Sequence, residues 1–362
     1  MSYGNLCVKY VSKKINKVRW CPHVKGNEEN DDIFALGSWD DEANTISIWK
    51  NPKNSSEKME SDLDEDPEFI DEISHSGDVT ALEFLSSESL MAASSLGSVS
   101  LYKYNQEKLE IQHTWEKIHH YCHQKASCTD ITYMEDNIVS IGEDCRLICL
   151  NIKKDKQVKI IDEADSCLLT TVEHLQHQEV ITGNMRGYLK LWDFRMHGNK
   201  PSRILLLTGG QSAVTCMAQH PTQWHTLGTG GEDGLLYIWD LRQDRQPITL
   251  LNAHSMAMME IKFHPLNPDH LFTCSQDGNV CHWDATSLKS NPAGNKIKSA
   301  AAEIVGEVQN PWLNCDASKH RLEIASLLKY STLPINSLDI ANNVLLCGSD
   351  NEAVYIFPKF NL

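Results

Sequence analysis

His254, Ser275 and Asp277 are the side-chain types of a nucleophilic triad. Such a triad needs an accessible serine and aligned donors for the oxyanion that forms during acyl transfer. Ser275 ends the apolar run LFTCS, and no donor pair stands out around it, so the set reads as structural. HHYCHQKASC (119–128) gathers His119, His120, Cys122, His123 and Cys128. Zinc sites space their thiolates and imidazoles in pairs, and this cluster has no CxxC. It reads as a plain surface loop between repeating units, with no metal. GGQS and GTGGEDG are glycine-rich but lack the GxxxxGK[ST] pattern that cradles phosphates. Nothing here argues for an enzyme, a cofactor or a small-molecule substrate.

A repeat has to position these side chains. GEDGLLYIWDLR (231–242) and SQDGNVCHWDAT (275–286) share a turn, an apolar alternation and an aromatic. Anchoring on that last apolar residue gives seven positions: Trp49, Tyr102, Leu150, Trp192, Trp239, Trp283 and Phe357. The residues one and three places before each anchor are apolar, His282 excepted, which is the period of a half-buried strand. The anchors are 53, 48, 42, 47, 44 and 74 residues apart. Five of these gaps suit four short strands per unit, as in a propeller blade. The sixth carries an insertion at 286–320, after which RLEIASLL (321–328) supplies the outer strand of unit six.

The expected fold is therefore all-β, a seven-bladed WD40 β-propeller spanning 1–362 as one domain, with loop insertions at 51–67 and 286–320. Unit seven runs out of chain after three strands. LCVKYVS (6–12) is unassigned and is expected beside 353–359, where it closes the ring and covers an open edge. The acidic stretch 57–72 is expected as a solvated connection in unit one. In the second insertion, KSAAAEIVGEV suits a short helix, and Trp312 is expected to pin the segment to the propeller side.

Composition narrows the function. Thirty-three Lys+Arg against 49 Asp+Glu give a net charge of −16, which opposes general nucleic-acid binding and docking on anionic lipid. The opening residues lack the apolar core of a secretory signal, and no run approaches the ~18 apolar residues of a membrane span. Twelve cysteines, many inside apolar runs, indicate buried thiols in a reducing compartment. The default role of such a disc is protein binding. By spacing, Glu143, Met185, Glu232 and Gln276 precede third strands, and Met256 and Met258 stand at the entry to a first strand; these are the candidate partner contacts.

The pattern resembles the WD-repeat family. That resemblance implies a hydrogen-bonded cluster of His254, Ser275, Asp277 and Trp283 in unit six. WDFR (192–195) and WDLR (239–242) also match WD-repeat receptors that dock on the damage-binding adaptor of cullin ubiquitin ligases, which would make Arg195 and Arg242 adaptor contacts; the plainer reading is a rim charge after each Trp-Asp. VSKKINKVRW (11–20), ALGSWDDEANTISIW (35–49), SIGEDCRLICL (140–150), GGEDGLLYIWDLR (230–242) and FHPLNPDHLFTCSQDG (263–278) carry a narrower likeness. They resemble the forty-three-kilodalton family of WD-repeat nucleoporins in the Y-shaped outer-ring complex of the nuclear pore. The resemblance implies a scaffold subunit docking on a short-arm α-solenoid nucleoporin. It also implies a place at the nuclear envelope, support of mRNA and protein transport, and kinetochore association in mitosis.

Overall fold

The computed structural model describes residues 6–22, 32–52, 66–122, 124–154, 156–207, 212–243, 246–252, 254–288, 310–313, 322–328, 331–358 and 360. Within these, each alternating apolar segment joins its neighbours in a four-stranded antiparallel sheet, and seven such sheets form the blades. In six blades the strands follow chain order. The seventh is composite: Ile335–Ala341, Val344–Ser349 and Ala353–Phe357 are completed by Cys7–Tyr10, with Cys7 opposite Ile356 and Tyr10 opposite Ala353.

The core lies between blades because each sheet has two apolar faces and no partner of its own. Leu189 and Leu205 of blade four pack with Tyr237 and Trp239 of blade five. Ile15, Trp20 and Trp49 of blade one pack with Leu346 and Val354 of blade seven.

All seven innermost strands carry a bulge at one equivalent place: after Ile15, Val79, Cys128, Leu169, Val214, Met258 and Ile335. A bulge adds one residue and re-aims its side chain. Here the added residue reaches the next blade. Asn16 donates to the Val79 carbonyl at 2.7 Å, Thr80 to Cys128 at 2.5 Å, Thr129 to Leu169 at 2.7 Å and Thr170 to Val214 at 2.5 Å. Asn336 donates to the Ile15 carbonyl at 2.9 Å, which joins blade seven to blade one. The belt thins between blades five and six, where among the described residues only the Cys216 thiol faces the Met258 carbonyl, at 3.7 Å. Between six and seven the added residue is Met259, which has no donor. Glu260 takes over there, accepting from the Ser337 hydroxyl at 2.5 Å and the Leu338 amide at 3.0 Å.

One expectation about the inserts changes, and one is not tested. The acidic run 57–72 is not a loop throughout, because Glu68–Ser74 forms the outer strand of blade one, with Phe69 edge-on to Trp49 at 5.4 Å. Carboxylates on an edge strand discourage further pairing. The helix suggested for 298–308 lies outside the described residues. Trp312 is 2% exposed, donates to the Pro268 carbonyl at 2.8 Å and meets Phe263 edge-on at 5.8 Å. Asn310 beside it donates to Gln223 at 2.7 Å and Thr226 at 2.9 Å, so this short anchor ties blade five to blade six near the thin part of the belt.

Candidate interaction surfaces

In blade six the expected cluster has a different centre. The Trp283 indole donates to the Thr273 hydroxyl at 3.0 Å, and that hydroxyl lies 2.8 Å from His254 Nε2. His254 Nδ1 is 3.3 Å from the Asp277 carboxylate, which also accepts the Ser255 and Asn279 amides at 2.9 Å. The donors run in one order, from indole to hydroxyl to imidazole to carboxylate, which requires the proton on Nδ1. Burial lowers the His254 pKa despite Asp277 and keeps the ring neutral. Ser275 instead donates to the Met256 carbonyl at 3.1 Å and accepts the Asp277 amide at 3.1 Å. It does not touch the imidazole, because Ser275 stands two residues further along the strand than Thr273, at the turn.

The same device recurs in blade three, where sequence reading placed a surface loop. His119 is fully buried, not exposed. Its Nδ1 is 2.8 Å from Asp144 and its Nε2 is 3.0 Å from Ser140. Burial works against the Asp144 charge, but the His119 hydrogen bond outweighs it and holds the carboxyl below its usual range. Blade five pairs Trp239 with Thr229 at 2.9 Å, while Tyr237 donates to Asp233 at 2.6 Å. In blades three and six the cluster ties the connection entering the blade to a neighbouring turn and its imidazole is sealed, whereas Asp233 in blade five is exposed.

The central channel holds a set of charges that sequence reading missed. Arg19 donates to Glu83 at 2.7 Å and to Glu260 at 2.6 Å, and its side chain is 7% exposed. Asp339 accepts the Trp20 amide at 2.8 Å, and Asp130 accepts the Val172 amide at 2.9 Å. Carboxylates of one blade thus hold backbone donors of the next. Glu173 also faces the channel. Burial pushes its pKa up to about 8, with Lys262 opposing and Glu83 and Asp130 adding to the rise. A folded-state pKa above the unfolded value of 4.5 gives stability that is complete below that value and is lost as pH rises through about 8. Glu173→Gln, neutral at every pH, is expected to raise the melting temperature more at about pH 8 than at about pH 5. Equal shifts in a thermal scan at the two values would show that Glu173 ionises freely.

The candidate contacts separate by exposure. Glu232 and Gln276 are exposed, Glu143 is partly buried, and Met185 and Met256 are 51% and 50% exposed. Met258 is fully buried, because the first inward side chain of a strand belongs to the core between blades; it is no surface contact. Glu143 and Gln276 line a depression of about 580 Å³ at the channel mouth, together with Trp39, Asp78, Asn336 and Asp350. Met185, Glu232 and Met256 do not line it. Arg195 forks onto Asp193 at 2.8 and 2.9 Å and reaches Glu179 at 2.6 Å; Arg242 forks onto Asp240 at 2.9 and 2.8 Å. Asp193 is held below the usual carboxylate range chiefly by the Arg195 hydrogen bond. Each arginine thus has a carboxylate of its own blade.

Seven radial four-stranded sheets with indole–hydroxyl and imidazole–carboxylate clusters define a WD-repeat β-propeller. The family model described as "WD domain, G-beta repeat" matches residues 200–240 and 245–284. The mouse protein named nucleoporin Nup43 is 39% identical over 368 aligned residues, covering 96% of this chain and 97% of that protein. The human nucleoporin Nup43 matches with the same identity and coverage. A Dictyostelium discoideum nuclear pore complex protein, nup43, is 25% identical over 63% of this chain and 52% of its own length. The chain belongs to the Nup43 family of WD-repeat nucleoporins.

Proposed function

We propose that this protein is a non-enzymatic scaffold subunit of the nuclear pore complex, a member of its Y-shaped outer-ring assembly. It binds an α-solenoid nucleoporin of the short arm through propeller surfaces. It supports pore assembly, mRNA export and protein import, and it associates with kinetochores in mitosis. The observation that carries this reading is identity of 39% along 96% of the chain to nucleoporins of the same fold length. Likeness confined to the blades would indicate only a propeller. Here it covers 96% of this chain and 97% of the relatives' own length. The fold supports the role physically, since a closed ring of interlocked blades is a rigid surface that loses little entropy on binding.

Affinity purification of the tagged chain from nuclear envelopes tests the reading. Co-purification of outer-ring nucleoporins in near-equal amounts is the expected result. Stoichiometric recovery of the damage-binding adaptor instead, lost on combining Arg195→Ala with Arg242→Ala, would replace the scaffold role with that of a ubiquitin-ligase receptor. The double variant is expected to leave nucleoporin recovery unchanged, because both guanidiniums are occupied by carboxylates of their own blades.

A further inference from the structure

Blade four presents an outer surface unlike the others. Tyr188 on its third strand pairs with Leu206 on its outer strand, and Lys190 pairs with Ile204, so these four side chains share one face. Leu205 and Leu207 belong to the core against blade five. Tyr188, Ile204 and Leu206 are 39%, 50% and 38% exposed, with Met185 at one end of the stripe and Met196 at the other at 51% and 54%. Five of the twenty exposed large apolar side chains among the described residues thus fall within 185–206. Exposed apolar groups gathered this densely mark an interaction site.

Charge makes a second, independent mark. Residues 185–206 contain five Lys+Arg and one acidic residue, in a chain of net charge −16. Lys190 is used internally, 2.9 Å from Asp165. Arg186 and Lys200 are exposed, and neither side chain has a hydrogen bond or ion pair among the described residues. Lys159 of blade three stands alongside, over the Phe194 ring at 5.6 Å and donating to the Met196 carbonyl at 3.2 Å. Arg186 occupies the turn position filled by Asp144, Asp233 and Asp277 in other blades. Arginine there forgoes the carboxylate cluster and sets a cation at the surface.

We propose that this face of blade four docks an acidic amphipathic helix of a partner nucleoporin. The inference deepens the pore-scaffold reading and rests on it for the partner. A strand of this length spans about 20 Å, the length of about 13 helical residues. Apolar side chains at i, i+4, i+7 and i+11 would cover the stripe from Met185 through Tyr188, Leu206 and Ile204 to Met196. Acidic flanks would meet Arg186 at one end and Lys159 and Lys200 at the other; a basic helix would be repelled.

The test uses the full chain and two surface variants: Ile204→Asp with Leu206→Asp, and Arg186→Glu with Lys200→Glu. Both alter exposed groups and are expected to keep the wild-type melting temperature. Recovery of outer-ring nucleoporins should fall about tenfold or more with either pair. Hydrogen exchange at 185–206 should slow in the assembly relative to the free chain. Undiminished recovery by both variants, with exchange at 185–206 unchanged, overturns the docking surface and leaves the pore reading standing. If the wild-type chain recovers no nucleoporin, the pore reading fails, and the surface is judged on a synthetic Leu/Glu amphipathic helix titrated against the purified chain. Salt-sensitive binding that weakens about tenfold in both variants supports it. Equal binding to wild type and variants, or preference for a Leu/Lys helix, overturns it.

Discussion

Arg19→Ala is expected to cost about 3–5 kcal/mol of folding stability, because it removes one partner from a buried, fully engaged ion cluster. Arg19 touches Glu83 of blade two and Glu260 of blade six, and it donates to the Ser337 hydroxyl of blade seven at 3.2 Å. One side chain therefore serves both ends of the ring. Without it Glu260, itself 6% exposed, keeps its bonds to Ser337 and Leu338 but loses its nearest cation. Arg19→Lys keeps a charge but not the fork, and should fall between wild type and alanine. The pH profile gives a second readout. Burial works to raise the Glu260 pKa, but Arg19, Lys17 and Lys262 outweigh it and lower the value from 4.5 to about 2. A depressed carboxyl contributes stability that is complete above 4.5 and is lost as pH falls toward about 2. The alanine variant should therefore show a shallower loss of stability across that acid range. Urea unfolding at neutral pH and at about pH 3 measures both effects, and a midpoint near wild type at neutral pH would show that Arg19 is dispensable.

The blades were legible because their signal is local. Apolar residues at every second position before an aromatic anchor mark a third strand wherever it falls, and the anchors Trp192, Trp239 and Trp283 need no tertiary information. The outer strand of blade six was readable across its insertion because EIAS lies within an alternating run; it pairs with the strand bearing Trp283. Blade three was harder. Its anchor is Leu150, so no indole flagged the cluster, and His119 was read with its histidine neighbours as a loop. A usable mark did exist: Ser140, Thr182, Thr229 and Thr273 each stand ten residues before their anchor. The inner belt was illegible for another reason. Bulges interrupt alternation, so Thr80, Thr129 and Thr170 look like polar breaks in a strand when they are donors to the next blade. Arg19 and Glu260 lie far apart in the chain, and only ring closure brings them together. The surface of blade four shows the limit from the opposite side: Arg186 was visible as a departure from the turn aspartate, but that its side chain has no bond among the described residues, and that Tyr188 pairs with Leu206, needed the fold.

Thr273→Val is expected to destabilise the protein by about 2–6 kcal/mol, since it leaves two buried groups unpaired at about 1–3 kcal/mol each. One is the Trp283 indole N–H and the other is His254 Nε2, at 3.0 and 2.8 Å from the hydroxyl they share. Both rings are sealed from solvent, with Trp283 at 0% and His254 at 3% exposure, so water cannot replace the lost partner without opening the joint between blades. Thr229→Val in blade five is the natural comparison, because among the described residues only the Trp239 indole depends on that hydroxyl, and its cost should be about half. Ser275→Ala removes a bond to the Met256 carbonyl and an acceptor for the Asp277 amide, and should cost about 1 kcal/mol. The order of the three, read from urea midpoints, decides which hydroxyl is the keystone of the blade. The indole N–H resonance of Trp283 should shift in Thr273→Val and stay in place in Ser275→Ala. A larger loss from Ser275→Ala than from Thr273→Val would return the central role to Ser275 and put the threonine outside the cluster.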